Sequence, residues 1–464
     1  MHKRVILIIL ILSSLIFTTQ PAHAQDATGP VYIVKPGESL SSIASDFNIS
    51  VNELITFNNI ADPNLLAAGQ QLVIPGLEGV SGIVDKMRIN IGDSYRSLIR
   101  RTQISENLFR KLNRIISPSE LYVSAPIIVP QQDATSQLTG VSQGTGESLL
   151  ELAVKQNTDV WALSHYNNLQ GSWDGLPGDT LFTTGGNGEQ STSGLPSAFI
   201  SAEIRDLPIK QGGTGVINVQ TVPGVTLGGI LVDHQLHFFP MEDGTQVALQ
   251  GVHALLEPGI YPLRLDATLP DGDTQSYEQS ILIVSGNYPD TIINGVDPLT
   301  LDPAVIDPEN EQILSIVSPV TPETYWQAPF TLPVDAQSCI RAWFGERRSY
   351  NDGAYNNFHA GVDYGICSET HPYDAYAPAA GVAVFTGKLV VCGNTTIIDH
   401  GQGVYSKFCH QDEFYVSTGE PVEAGQLVGK IGGTGRANGP HLHWELWVNG
   451  IQVDPLDWLI QAYP

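Results

Sequence analysis

The sequence predicts a multidomain, mainly β chain, and three observations predict it. A Gly-acid-Ser marker recurs at Gly37-Glu38-Ser39, Gly92-Asp93-Ser94 and Gly146-Glu147-Ser148, offset by 55 and 54 residues, and Asn58, Asn113 and Asn167 repeat with the same offsets; a fixed period means one structural unit used several times. From Ala198 to Val284, short β-rich runs alternate with turn signals. Near the C-terminus, His441 and His443 lie in an apolar and aromatic run whose two-residue spacing puts both imidazoles on one face of a strand. A length of 464 residues accommodates three or more domains.

Residues 1–24 read as a secretory signal peptide: His2-Lys3-Arg4 gives a positive start, Val5 to Thr18 is apolar, and Ala22-His23-Ala24 is an A-x-A cleavage site. The run is shorter than the roughly 20 apolar residues of a spanning helix. No cysteine follows the cleavage site, so neither a lipid anchor there nor stable membrane insertion is expected, and the chain from Gln25 should be exported to an extracellular, periplasmic or cell-wall setting.

The repeats occupy 31–76, 86–130 and 137–184. In the first, Tyr32 to Gly37 reads as strand and turn, Leu40 to Phe47 and Val51 to Asn58 as short helices, and Gln71 to Pro75 as a returning strand. This β-α-α-β order, with Leu54-x-x-x-Asn58-x-Ile60 and Gly69-Gln70-Gln71-Leu72-Val73-Ile74-Pro75, resembles the LysM module. The resemblance implies binding of N-acetylglucosamine-containing glycans beside Gly37, Glu38 and Ser39 and around Ala61, Asp62 and Pro63. The second copy keeps Leu112-Asn113-Arg114-Ile115 and the third Asn167-Asn168-Leu169; both are degenerate, with glycan binding and a spacer role left open. Several weak modules on one chain gain through effective concentration.

Residues 185–196 have the Gly/Ser/Thr composition of a flexible linker. Residues 197–287 read as a β-sandwich of immunoglobulin-like type serving as spacer or wall contact; His234 and His237 there are read as structural. Residues 288–323, rich in proline and acid, read as a second linker, with a strap across a neighbouring groove as the alternative.

In 324–464 five residues stand out: His359, Asp363, His410, His441 and His443. Six of the chain's 12 histidines fall between 359 and 443. A catalytic zinc takes three nitrogen or oxygen ligands and keeps a position for water, which one carboxylate and two imidazoles satisfy. In an extended strand His359 and Asp363 would stand roughly 13 Å apart, so a bend at Gly361 is expected, with a helical turn as the alternative.

Residues 335–455 resemble the lysostaphin-type (LytM-like) zinc endopeptidases that cut peptidoglycan peptides. The resemblance rests on Trp343-Phe344-Gly345-Glu346-Arg347-Arg348, His359-x-x-x-Asp363, Tyr376 to Gly381, Ile398-Asp399-His400-Gly401, Tyr405 to His410, and Gly439-Pro440-His441-Leu442-His443-Trp444-Glu445. It implies an antiparallel β-sheet peptidase domain holding one zinc on His359, Asp363 and His443, with His410 and His441 as the catalytic histidines. Which of those two is the base is left open. Ile366 to Asp374 is longer than the family's short turn and carries Cys367, which puts inherited specificity in doubt.

The four cysteines, Cys339, Cys367, Cys392 and Cys409, all lie in this domain, and an exported chain meets oxidising conditions. A hairpin centred between His400 and Gly401 would place Cys392 opposite Cys409 as a disulfide. Cys409 would then face away from His410, and Cys339 and Cys367 would be the remaining pair. The net charge of -26 becomes about -28 without Lys3 and Arg4, which disfavours nucleic acid and anionic membrane. The expectation is a monomeric, cell-wall-targeted zinc endopeptidase acting on peptidoglycan, its glycan strands and peptides the partners; the alternative is a non-catalytic scaffold that activates a separate amidase.

Overall fold

The computed structural model describes residues 29–131, 138–144, 146–183, 194–335, 338–353, 356–365 and 373–464. The expected signal peptide, most of the 185–196 linker, and Cys367 with most of its loop lie outside them. The chain forms two units, the first ending at Asp85 and the second beginning at Lys86.

In the first unit, strands Val31–Ile33 and Gln71–Val73 pair antiparallel around helices Leu40–Asp46 and Val51–Phe57. Tyr32, Ile43, Leu54, Leu72 and Ile74 are buried between them. The recurring marker is a helix start. Gly37 sits at φ 84°, where a side chain is disfavoured; Glu38 accepts from the Lys35 N–H at 2.7 Å; Ser39 caps the helix by accepting from the Ser42 N–H. The second unit repeats this at Gly92 (φ 95°), Asp93 and Ser94, and at Gly146 (φ 75°), Glu147 and Ser148.

The repeating asparagine has an equally local cause. Asn58 ends the second helix and its side-chain amide bonds both main-chain groups of Val73 on the returning strand, at 2.9 and 2.7 Å. Asn113 does the same to Ile128 and Asn167 to Phe182. One side chain thus satisfies a donor and an acceptor that a short strand would otherwise leave unpaired.

Within the second unit, residues 199–284 form a four-stranded sheet (Phe239–Pro240, Gln246–Gly251, Thr214–Thr221, Phe199–Ile204) and a five-stranded one (His234–Gln235, Thr226–Leu231, Gly259–Thr268, Thr274–Val284, Ile209–Lys210). Ile217, Val219 and Ala248 of the first bury against Leu263, Leu265, Ile281 and Ile283 of the second. The region is not a detached spacer. Val216, Val247 and Leu249 share a core with Trp444 and Leu446 of the C-terminal sheet and Trp458 of the helix Pro455–Ile460 that follows it, and Trp458 Nε1–H donates to Thr214 Oγ1 at 3.1 Å.

Residues 288–323 are not a plain linker. Asp290–Ile293 pairs parallel with Arg347–Tyr350, and Pro303–Val317 is a 15-residue helix capped by Asp302, with proline in its first turn. Proline and acid at a helix start are helix signals; counted only as composition they look like a linker.

The C-terminal sheet runs Cys339–Ala342, Val362–Gly365, His441–Val448, Val404–Phe414, Asn394–Gly401, Gly381–Lys388 and Pro421–Val422. Val362, Leu442, Trp444 and Phe408 bury one face. Register places Asp363 opposite His443 and His443 opposite Cys409, so these share the other face.

Candidate metal centre

Three of the five residues meet there. The chain bends at Gly361 between strands Asn357–Phe358 and Val362–Gly365. Gly361 is needed for contact, since a Cβ there would stand 2.2 Å from the Trp444 carbonyl oxygen. The bend brings His359 Nε2 within 3.0 Å of Asp363 Oδ1 and 3.0 Å of His443 Nδ1, with His443 Nδ1 2.8 Å from Asp363 Oδ1.

The far side of each imidazole is anchored. His359 Nδ1 lies 2.8 Å from the Trp343 carbonyl, which only accepts, so Nδ1 carries the hydrogen and Nε2 is left for the centre. His443 Nε2–H donates to Glu445 Oε1 at 2.9 Å, leaving Nδ1. Such outer partners fix ring orientation and tautomer. Glu445 also bonds Lys407 Nζ at 2.8 Å and Trp447 Nε1–H at 2.8 Å. Arg348 stands 3.9 Å from Asp363 Oδ2. Glu445 and Arg348 stood in the motifs without a role; only the fold shows what they touch.

Electrostatics follow from burial and these bonds. Burial alone would raise Asp363, but the His359 and His443 rings against its Oδ1 hold it well below the usual carboxylate range. Burial would lower His443, yet Asp363 and Glu445 raise it to about 9. Glu445, which burial would raise, is held near 2, chiefly by Lys407.

His410 and His441 complete the wall. Their ring centroids are 4.8 Å apart, and His410 lies 6.1 Å from the His443 ring. Each Nδ1–H donates to a carbonyl, His410 to Thr434 and His441 to Gly439, both at 2.8 Å. Burial pushes His410 down to about 3, helped by His443 and His441.

His410 reaches this face through a β-bulge. The pairing slips from Thr396 opposite Phe408 to Asn394 opposite Gln411, and His410 takes φ 65°. The slip corrects two expectations. Cys409, in register with His443, does not face away from His410; both residues turn to the site side. The hairpin centres near Gln402, with Asp399 opposite Tyr405, so Cys392 is not Cys409's partner in the ladder and the expected Cys392–Cys409 disulfide is replaced by two buried free thiols. They cluster with the Glu445 carboxylate. Hydrogen bonding from Cys409 lowers Cys392, and burial pushes Cys409 up. Cys339 is disulfide-bonded, while Cys367 lies outside the described residues.

Residues 357–455 match peptidase family M23, and residues 32–75 and 88–130 match the LysM domain. The chain carries an M23 peptidase domain. It is preceded by two LysM domains, and the third repeat lies outside those matches. Among similar curated proteins, the peptidoglycan DD-endopeptidase ShyA of Vibrio cholerae is 34% identical over 124 residues, 27% of this chain and 28% of that protein. The DD-carboxypeptidase/endopeptidase Mpg of Neisseria meningitidis is 38% identical over 98 residues, 21% of this chain and 22% of that protein. A solved putative peptidase M23 from Pseudomonas aeruginosa is 25% identical, covering 55% of this chain and 96% of that one at a TM-score of 0.42. The match to these curated relatives spans less than a third of their length. All five site residues fall inside the M23 match.

The residues expected beside a glycan lie in the first LysM match. Gly37, Ser39, Ala61, Asp62 and Pro63 are exposed, while Glu38 is engaged, accepting from Tyr32 Oη at 2.8 Å as well as from Lys35.

Proposed function

We propose that this chain is an exported, zinc-dependent endopeptidase that cleaves peptide bonds of peptidoglycan in the cell wall or periplasm, brought to its substrate by the LysM modules. The observation that carries the reading is the convergence of His359 Nε2, Asp363 Oδ1 and His443 Nδ1, all within 4.8 Å of one another, beside two anchored imidazoles. The donor set fits zinc: tetrahedral bonds of roughly 2.0–2.1 Å place ligand atoms about 3.3 Å apart, so the three groups need move only slightly to hold it. When bound, zinc supplies an acidified water and polarises a peptide carbonyl.

The chain's residues do the rest. With Nδ1–H committed to the Thr434 and Gly439 carbonyls, His410 and His441 each keep Nε2 as the atom that takes up or returns a proton. Glu445 and Trp343 hold the ligand rings against rotation. The peptidoglycan activity in the names of the curated relatives and the LysM matches support this substrate.

The test compares wild type with His441→Ala and His443→Ala for bound zinc and for release of new amine ends from purified peptidoglycan. One zinc per chain in wild type and His441→Ala, less in His443→Ala, and cleavage by wild type alone is the expected result. One zinc without cleavage by wild type would overturn the endopeptidase in favour of the scaffold.

A further inference from the structure

A carboxylate belonging to the chain itself occupies a row of main-chain amides at the edge of the site. Glu309, on the Pro303–Val317 helix, is 6% exposed. Its Oε2 accepts from the N–H groups of Val390 at 2.5 Å and Val391 at 2.8 Å, and its Oε1 from that of Cys392 at 3.1 Å. Three successive amides aimed at one carboxylate form an anion-binding nest. The nest adjoins the catalytic wall: the Cys392 carbonyl accepts from the His410 N–H at 2.8 Å, and the Val391 carbonyl from the Arg436 N–H at 2.8 Å. Glu309, Val391 and Cys392 line the same cavity of about 1340 Å³ as His359, His441 and His443.

The segment that delivers Glu309 is fastened to both walls. On one, Asn351 accepts from the Val296 N–H at 3.1 Å and donates to its carbonyl at 2.9 Å. On the other, Arg436 donates to the Thr300 carbonyl at 2.9 Å, its guanidinium 5.0 Å from the Tyr350 ring. Beyond Glu309, Ile313 and Val317 bury against Leu389, Tyr405 and Trp447. Pro308 lies inside the helix just before Glu309, removing a backbone hydrogen bond where the carboxylate-bearing turn joins the buried turns.

We propose that the amides of residues 390–392 are a subsite for a free carboxylate of the peptide substrate, and that Glu309 fills it as an internal substitute, so that residues 290–309 restrain the cavity until a substrate carboxylate displaces it. The proposal rests on the peptide-hydrolase reading above. A nest of neutral dipoles discriminates a carboxylate from a carboxamide, because the amide NH₂ would point donors at donors. Tethering gives Glu309 a high effective concentration, so a short peptide acid competes poorly in the intact chain and well once Glu309 is removed.

The test uses the full mature chain, Glu309→Ala and Glu309→Gln. The probes are acetyl-alanyl-alanine as the free acid and as the C-terminal amide. In Glu309→Ala, hydrogen exchange across residues 389–393 should rise at least tenfold. The free acid should restore protection and the amide should not, and peptidoglycan cleavage should exceed wild type several-fold. Glu309→Gln, which keeps volume and one acceptor oxygen, guards against a folding defect and should be intermediate in exchange and cleavage. Exchange that stays slow in both variants, or equal protection by acid and amide, would overturn the subsite. Cleavage by wild type that neither variant raises would also sink it while leaving the peptidase reading intact. Acid-specific protection without cleavage by any form would keep the subsite and remove the peptidase.

Discussion

Glu445 shows how a residue that touches no substrate can govern a centre. It receives His443 Nε2–H, Lys407 Nζ and Trp447 Nε1–H in a buried pocket, so its charge is compensated and the ring it holds is fixed. In Glu445→Gln a single oxygen can still serve Lys407 and His443, which share Oε1, but the amide then turns its NH₂ towards Trp447 Nε1–H, and Lys407 is left buried without its counter-charge. Loss of such an outer partner typically weakens metal binding 10–100-fold. Zinc competition with a chelator should show a drop in that range. An unchanged zinc affinity would mean that packing alone orients His443. The three side chains that converge could be picked out in the sequence because H-x-x-x-D and H-x-H are local spacings. Glu445 could not, since an acid two residues beyond a histidine on a strand looks the same whether or not a lysine from the next strand faces it.

At the scale of elements, the asparagines were visible as a period but not as a mechanism. Asn113→Ala removes two bonds to Ile128 and leaves a donor and an acceptor of the returning strand unpaired. At about 1 kcal/mol per bond, the local opening free energy should fall by about 2 kcal/mol, read as roughly thirtyfold faster exchange of the Ile128 amide. An unchanged rate would show that water replaces the side chain at no cost.

His400 ties a second set of strands. Its Nδ1–H donates to the Ala380 carbonyl at 2.8 Å, and its Nε2 accepts from Ser406 Oγ–H at 2.9 Å, while Ser406 accepts from Trp444 Nε1–H at 3.2 Å. Burial pushes His400 down to about 4 from an ordinary 6.5. The folded form therefore binds fewer protons than the unfolded one: the stability tied to neutral His400 is whole above pH 6.5 and lost progressively as pH falls towards 4. The loss is on the order of 3 kcal/mol. Thermal melting between pH 7 and 4 should fall more steeply for wild type than for His400→Gln, and parallel curves would refute the assignment. The bulge at His410 belongs to this scale too: strand alternation predicts Cys409 and His410 on opposite faces, and nothing local in the sequence announces the extra residue that overrides it.

For the whole molecule, the domain order could be read from repeats and motifs, but the joins could not. The two-sheet region reads as a spacer because its strands show no site. Yet its Val216 and Leu249 share a core with the peptidase sheet, and His253 packs at 5.1 Å on Phe358, next to His359. Shared cores depend on long-range packing that no window of sequence reports. Charge, by contrast, is a whole-chain property that sequence gives directly, and it leads to a prediction. A net charge of -26 offers no attraction to anionic wall polymers, so on the function proposed above attachment comes from short-range contacts of the LysM domains. Ionic strength then screens only repulsion. Sedimentation of the mature protein with purified cell walls should hold steady or improve between about 50 and 200 mM salt, over which the Debye length shortens from about 14 to 7 Å. If binding instead weakens steeply with salt, a local basic surface, and not the glycan contacts, carries the chain to the wall.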